Sequence, residues 1–414
     1  MLYYQKDDEL SFLIADAAGT LMKISYIYDV IYPETIGGVE KRIHEIGTRL
    51  AARGHEVHLY GMKCWDGPDV ISRDGMILHG VCPTMGLYTE GRRSIFQAVR
   101  YTVGLIPHLI RADADVIDCQ NFPYFPAIAA GCISMIRRKR LVITWHEFWG
   151  KYWYTYLGMT GIIGLLIERM ALWLSPWIIA VSPLTARQIT NAGYRGDVAI
   201  IPNGITISRV CAAPPSPQTS DIIFVGRFIP EKHPELVIDA VRILVPDYPS
   251  LRCVIVGDGP DFSSVQTRIR ETGLENHITC TGFVADHGEV LSLMKSSKVF
   301  LLQSVREGFG IVALEALACG LSLVTVSHPR NAASAHVLPC CGYLAEISAE
   351  DIAKGIRVCL SRPPDPVELN RYVASHDWDQ ITLQLEQYYR LVGSADLNPV
   401  KFQKLSPPTA CDIF

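Results

Sequence analysis

From Met22 onward, short runs of apolar and β-branched residues alternate with longer segments of helical periodicity. No other feature constrains the fold as strongly. Strand, helix and strand in succession make a βαβ unit, and such units build parallel sheets. In the first half the spacing predicts strands at Ile24–Tyr28, Val57–Tyr60, Ile77–Val81, Val116–Cys119, Leu141–Thr144 and Ile178–Val181. The clearest helix is Gly38–Arg53, where Val39, Ile43, Ile46 and Leu50 recur at helical spacing and Gly54 supplies the stop. The pattern pauses at Pro202-Asn203-Gly204 and at the Pro-rich stretch 212–217. It then restarts with strands at Asp221–Gly226, Cys253–Gly257, Ile278–Thr281, Val299–Leu302 and Ser322–Val326. The expected class is α/β: two Rossmann-like parallel-sheet domains facing a cleft, where ligands bind beyond the carboxyl ends of the strands. The expected division is an extension over residues 1–21, a first domain over 22–201 and a linker over 202–219. A second domain follows over 220–376, then a helix over 377–393 crossing back to the first domain and a loose tail over 394–414.

A chain of 414 residues accommodates two such domains. Its 49% hydrophobic content is high, and strands buried on both faces account for most of it. A net charge of -4 gives no global basic surface for nucleic acid. The longest apolar stretch, Tyr152–Val181, is interrupted by Gly158, Gly161, Gly164, Glu168, Arg169 and Pro176. It reads as a buried helix followed by a buried strand rather than a membrane span. Lys6, Asp7, Asp8 and Glu9 occupy the place of a signal peptide's basic region. The 12 cysteines form no Cys-x-x-Cys pair, which fits reduced thiols in a cytoplasmic protein and offers no zinc site. The sequence contains neither Gly-x-Ser-x-Gly nor His-Glu-x-x-His.

Four segments carry chemistry. Gly37-Gly38-Val39-Glu40 follows a strand and opens a helix, so unpaired N–H groups and a partial positive charge suit a phosphate there, although Gly-Gly is also plain turn chemistry. Gly226-Arg227-Phe228-Ile229-Pro230-Glu231-Lys232 places two cations after a strand, enough to neutralise a diphosphate; a solvated loop is the bland alternative. Glu307-Gly308-Phe309-Gly310-Ile311 leads into an apolar helix containing Glu315, where an unpaired carboxylate would be costly. Carboxylates accept sugar hydroxyls well; the alternative is a helix-capping Glu307 and a structural Glu315. His146 ends a strand, where a ring nitrogen can serve a sugar, a phosphate or a proton. Gly257-Asp258-Gly259-Pro260 lacks the features of a phosphate loop and reads as a strand-to-helix turn.

In this order, with Pro202-Asn203-Gly204, Gly282-Phe283-Val284 and Asp377-Trp378, these segments resemble a retaining glycosyltransferase of family 4 with the GT-B fold, over roughly Met22 to Val392. The resemblance implies that Arg227 and Lys232, behind Gly226, hold the diphosphate of a UDP- or GDP-sugar and stabilise the leaving group in place of a metal. It implies that Glu315 binds the ribose. Glu307 and the backbone of Gly308, Phe309, Gly310 and Ile311 would hold the sugar hydroxyls, Gly37 and Gly38 would approach the phosphates, and His146 would lie near the transferred sugar. No cofactor is implied beyond the nucleotide sugar as co-substrate. The sequence departs from the family's Gly-Gly-x-x-Glu loop at Ser327-His328-Pro329-Arg330-Asn331, which leaves the donor sugar open. Two other readings of the same residues are a sugar-nucleotide epimerase of this fold and a non-catalytic protein that only binds the nucleotide sugar.

The acceptor expected of the first domain is a glycan or a lipid-linked sugar. Basic and apolar residues mix at 92–111 and at 137–157, where Arg137-Arg138-Lys139-Arg140 precede Trp149, Tyr152, Trp153, Tyr154 and Tyr156. That mixture suits a peripheral enzyme on an anionic membrane, or equally a core helix with aromatics lining a sugar site.

Overall fold

A computed structural model describes residues 20–89 and 92–394. Most of the expected extension and of the expected tail, residues 1–19 and 395–414, lies outside them. The described residues divide into two units: those of 20–181, 185–201 and 379–394 in the first, residues 182–184 and 202–378 in the second.

The first unit is built on β1 (Lys23–Ile27), β2 (Glu56–Lys63), β3 (Val70–Arg73), β4 (Met76–Pro83), β7 (Val116–Gln120), β8 (Leu141–Trp145), β9 (Trp177–Ala180) and β10 (Val198–Ile200); β5 (Tyr88–Thr89) and β6 (Arg92–Arg93) form a separate small pair. The order across the large sheet is β10-β9-β8-β7-β1-β2-β4-β3. The sheet is not wholly parallel as expected, because β3 runs antiparallel to β4. Asp74 and Gly75, at φ 53° and 79°, turn the chain between them. Two successive left-handed residues make the tight turn whose twist matches a hairpin.

Side-chain alternation gives the two faces of this sheet different partners. Ile117, Cys119 and Ile143 point to a core shared with Tyr101, Leu105 and Ala127 of the helices Ile95–Arg111 and Tyr124–Arg137. Those two helices pack side by side, and Gly161–Ala171 packs against the second. On the opposite face, Asp118 accepts from Thr144 and from Tyr389 of the last helix, Trp378–Ser394. That helix opens on a residue of the second unit, and the rest of it belongs to the first.

The stretch expected as one buried helix and a strand is different. It forms a helix Tyr152–Leu157, a single 3-10 turn, the helix Gly161–Ala171 and then β9. The strand is buried, but Ile162, Ile163, Leu166 and Met170 are exposed. The glycines explain the break: a Cβ on Gly161 would lie 2.2 Å from the Trp153 carbonyl, so the two helices meet where no side chain intervenes. The aromatics before this break pack inward. Tyr152 and Trp153 are buried, and Trp149 stacks on Phe122 at 4.9 Å.

The second unit is a fully parallel sheet of β11 (Ile222–Val225), β12 (Cys253–Val256), β13 (Ile278–Gly282), β14 (Val299–Leu302), β15 (Ser322–Val326) and β16 (Gly342–Ala345). Its order, β13-β12-β11-β14-β15-β16, is the doubly wound Rossmann order. The strand order reverses between β11 and β14, and the loops leaving these two strands border the crevice that such sheets use for ligands. The expected linker carries structure of its own. It contains a helix, Ile207–Ala212, and Lys295 Nζ donates to the carbonyls of Cys211 and Ala213.

Candidate functional site

The loop from β11 carries Gly226, Arg227 and Lys232; the loop from β14 carries Glu307, Gly308, Phe309 and Gly310. The switch point therefore brings together residues some 75 positions apart in sequence. Lys232 and Glu307 form an ion pair, with side chains 17% and 13% exposed. The two loops are also joined by a backbone bond, Val305 N to Glu231 O at 2.9 Å, and by the Gln303 side chain, whose Nε2 donates to Lys232 O at 2.7 Å. Arg227 is exposed beside them.

The turn Gly257-Asp258-Gly259 is more than a strand exit. Phe228 N donates to Asp258 O at 3.0 Å, and Asp261 N to Phe228 O at 3.1 Å. A Cβ on Gly257, at φ 134°, would sit 1.9 Å from Gly226 O. The glycines let this turn press on the loop that carries Arg227 and fix its path.

Gly310, at φ 88°, caps the N-terminus of the helix Ile311–Ala318. Phe309 is buried under it; its carbonyl accepts from His336 Nε2 at 2.9 Å, while Tyr372 OH donates to His336 Nδ1 at 2.7 Å. Burial pushes His336 down to about 3, with His376 nearby acting in the same direction, so the ring is neutral and serves as a brace. Glu315 is buried in the same helix and meets His287 Nε2 at 3.1 Å. Of the residues in the divergent loop, Asn331 is fully buried. Its amide nitrogen donates to Thr325 Oγ1 and Val326 O, and its Oδ1 accepts from Ala333 N, so it caps the following turn.

The remaining candidates belong to the first unit. Gly37 and Gly38 begin the helix Gly38–Ala52, where a Cβ on Gly37 would meet Glu40 Oε1 at 2.7 Å. His146 follows β8, and its Nε2 lies 2.8 Å from Gln120 Oε1. Gln120 Nε2 donates to Asp118 Oδ1 at 2.8 Å, which leaves its carbonyl facing the histidine and makes His146 Nε2 the donor. Asp118 also accepts from Thr144 Oγ1 at 2.8 Å and from Tyr389 OH at 2.5 Å. Burial pushes Asp118 up to about 6 against these donors. Burial, and secondarily Arg42, push His146 down to about 3, so it is neutral near pH 7. The sequence reading did not single out Asp118, Gln120 or Tyr389. The polar run Asp118, Gln120, Asn121 closing an apolar strand was the available signal.

Two Rossmann-like parallel-sheet units in one chain make the GT-B fold. Residues 213–376 match the family described as glycosyl transferases group 1, and residues 36–209 match glycosyltransferase family 4. The chain belongs to this family and is a glycosyltransferase acting with a nucleotide sugar. It is 28% identical over 382 residues to a phosphatidylinositol N-acetylglucosaminyltransferase component of Arabidopsis thaliana, covering 89% of this chain and 81% of that protein. Sucrose-phosphate synthase from Thermosynechococcus elongatus shares the fold at a TM-score of 0.70 and 20% identity, covering 90% of this chain and 99% of that one. The Anabaena protein HepE, solved in complex with UDP, does so at 0.67 and 19%, covering 89% and 99%.

Proposed function

We propose that the enzyme transfers a hexosyl or N-acetylhexosaminyl group from a UDP- or GDP-sugar to a lipid-linked or glycan acceptor, with retention of anomeric configuration. The observation that carries this reading is the Lys232–Glu307 pair at the switch point, beside Arg227 and under the Gly310 helix start. In this reading Arg227 and Lys232 bind the diphosphate and neutralise the charge that develops as the anomeric C–O bond breaks, so no metal is needed. Glu307 and the N–H groups of the 308–311 turn hold the sugar hydroxyls, and Glu315 holds the ribose. Gly37 and Gly38 serve the phosphates. The neutral His146, whose Nε2–H goes to Gln120, accepts a hydrogen bond from a sugar hydroxyl at Nδ1 rather than carrying charge. The acceptor oxygen attacks from the face the diphosphate leaves, and its proton passes to the departing phosphate oxygen. A lipid acceptor is supported by the phosphatidylinositol transferase among the relatives. A cytoplasmic-face location fits the expectation of reduced thiols.

The test is turnover of UDP-N-acetylglucosamine and a panel of other nucleotide sugars, with and without EDTA, comparing wild type with Lys232→Ala. Loss of one cation at the leaving group is expected to slow turnover about a hundredfold or more, and EDTA to leave the rate unchanged. Equal turnover in both proteins, or an inverted product, overturns the assignment.

A further inference from the structure

The outer surface of the helix layer in the first unit is unlike a face built for water. On Ile95–Arg111 the outward stripe is Phe96, Val99, Val103 and Ile110, with Phe96 71% exposed. On the adjacent Tyr124–Arg137 the exposed end is Met135 and Ile136, the former 77% exposed. On Gly161–Ala171, packed against that helix, the outward residues are Ile162, Ile163, Leu166 and Met170, with exposed Trp173 just beyond its end. Amphipathic surface helices place such residues inward; here each helix has apolar residues on both sides. A patch of this extent marks an interaction surface.

Its charges point to the partner. The helices Ile95–Arg111 and Tyr124–Arg137 contain no Asp or Glu. The one acid of Gly161–Ala171, Glu168, is fully buried, accepting from Tyr124 OH, Trp149 N and Gly150 N, each at 2.7 Å. Within the three helices the exposed charges are all cationic, Arg100, Arg111, Arg137 and Arg169, and Arg138 follows; the exposed acids Asp113 and Asp115 lie just past Ile95–Arg111, with Asp113 paired to Lys23 and Lys139. Among the described residues no helix is long and apolar enough to cross a membrane. Exposed aliphatic side chains flanked by arginines, with no exposed carboxylate on the helices themselves, complement headgroup phosphates above and acyl chains below.

We infer that this three-helix face docks the enzyme on the surface of an anionic lipid bilayer. The inference deepens the lipid-acceptor reading above and rests on it only for its purpose, since the face itself is independent of the donor site. The aromatics Tyr152 and Trp153 take no part, because they are spent in the core.

Flotation of the full chain with phosphatidylcholine vesicles, with and without phosphatidylserine, tests it. Wild type is expected to float with the phosphatidylserine vesicles at low salt. The Arg137→Glu, Arg138→Glu pair should weaken that binding at least tenfold, since each cation near an anionic surface is worth about fivefold in partition. The Phe96→Asp, Leu166→Asp pair should abolish it at any salt. Nucleotide-sugar hydrolysis in solution should be unchanged in both, which shows that they fold. Wild type remaining in the soluble fraction, or variants floating like wild type, overturns the inference. So does a wild-type dimer that Leu166→Asp renders monomeric, which would give the face to a second copy. Intact flotation with no nucleotide-sugar turnover in wild type would sink the donor reading and leave the docking face standing.

Discussion

At the residue scale, the second unit's site depends on backbone that only glycine can supply. Gly310 adopts φ 88°, and a Cβ there would lie 2.6 Å from Ala333 Cβ. Ala at such a φ costs on the order of 1–2 kcal/mol before any clash. Gly310→Ala is therefore expected to lower stability by about 2 kcal/mol or more. It should also weaken nucleotide-sugar binding by tilting the helix start, as thermal unfolding and ligand titration would measure. Wild-type affinity in the variant would count against the turn as a sugar-binding element. Glu315 was legible because a carboxylate among Ile311, Val312, Ala313, Leu314, Ala316 and Leu317 must have a partner. Its partner His287, 28 residues earlier, was not, since no local pattern announces it. For the same reason Gly257 and Gly259 read as an ordinary turn, while their tight contacts are with residues some 31 positions away.

At the element scale, the last helix completes the far face of the first sheet. Ile381, Leu385, Tyr389 and Val392 are buried, and Arg53 Nε donates to Glu386 Oε2 at 2.6 Å. Tyr389 OH is the donor from this helix to Asp118, which itself positions Gln120 toward His146. Tyr389→Phe removes a donor from a buried carboxyl group and is expected to cost about 1–3 kcal/mol in denaturant unfolding. A neutral outcome would show that Asp118 finds its partner elsewhere. The regular βαβ rhythm was readable because the central strands, such as β7, β8, β12, β14 and β15, are buried on both faces. The antiparallel β3 was not, being four half-polar residues long; Asp74-Gly75 was the hairpin signal that the helical reading of the gap passed over. The helix Gly161–Ala171 was misassigned because composition reports how apolar a segment is, not which way it faces.

At the scale of the whole molecule, buried imidazoles set the response to acid. Burial pushes His146 and His336 down to about 3 and His79 to about 4, from an ordinary value of 6.5. As pH falls below 6.5 the unfolded chain takes up these protons and the native chain does not, so stability is complete above 6.5 and is lost on acidification toward 3. Each ring contributes up to about 1.4 kcal/mol per pH unit within that window. Asp118 acts in the opposite sense: raised from 3.8 to about 6, it contributes stability that is lost as pH rises through that interval. His44, His108, His328 and His376 are lowered by burial as well, while Asp29, Glu40 and Glu168 are raised like Asp118; the lowered imidazoles outnumber the raised carboxyl groups, which gives a net loss in acid. The melting temperature should fall from pH 6.5 to pH 5, and His336→Gln, which cannot be protonated, should flatten the slope. An unchanged slope would place the acid sensitivity elsewhere.

The first unit is discontinuous in the sequence, because it needs residues from 379 onward. During synthesis its sheet emerges with one face covered only in part, by the helix Gly38–Ala52, and with Asp118 lacking the phenol that later binds it. The second unit, nearly continuous, is complete before that helix is made. The order of assembly therefore runs against the order of translation, and the earliest domain to leave the ribosome is the last to close. A cell making this enzyme must shelter a partly open sheet face for the time it takes to translate the second unit.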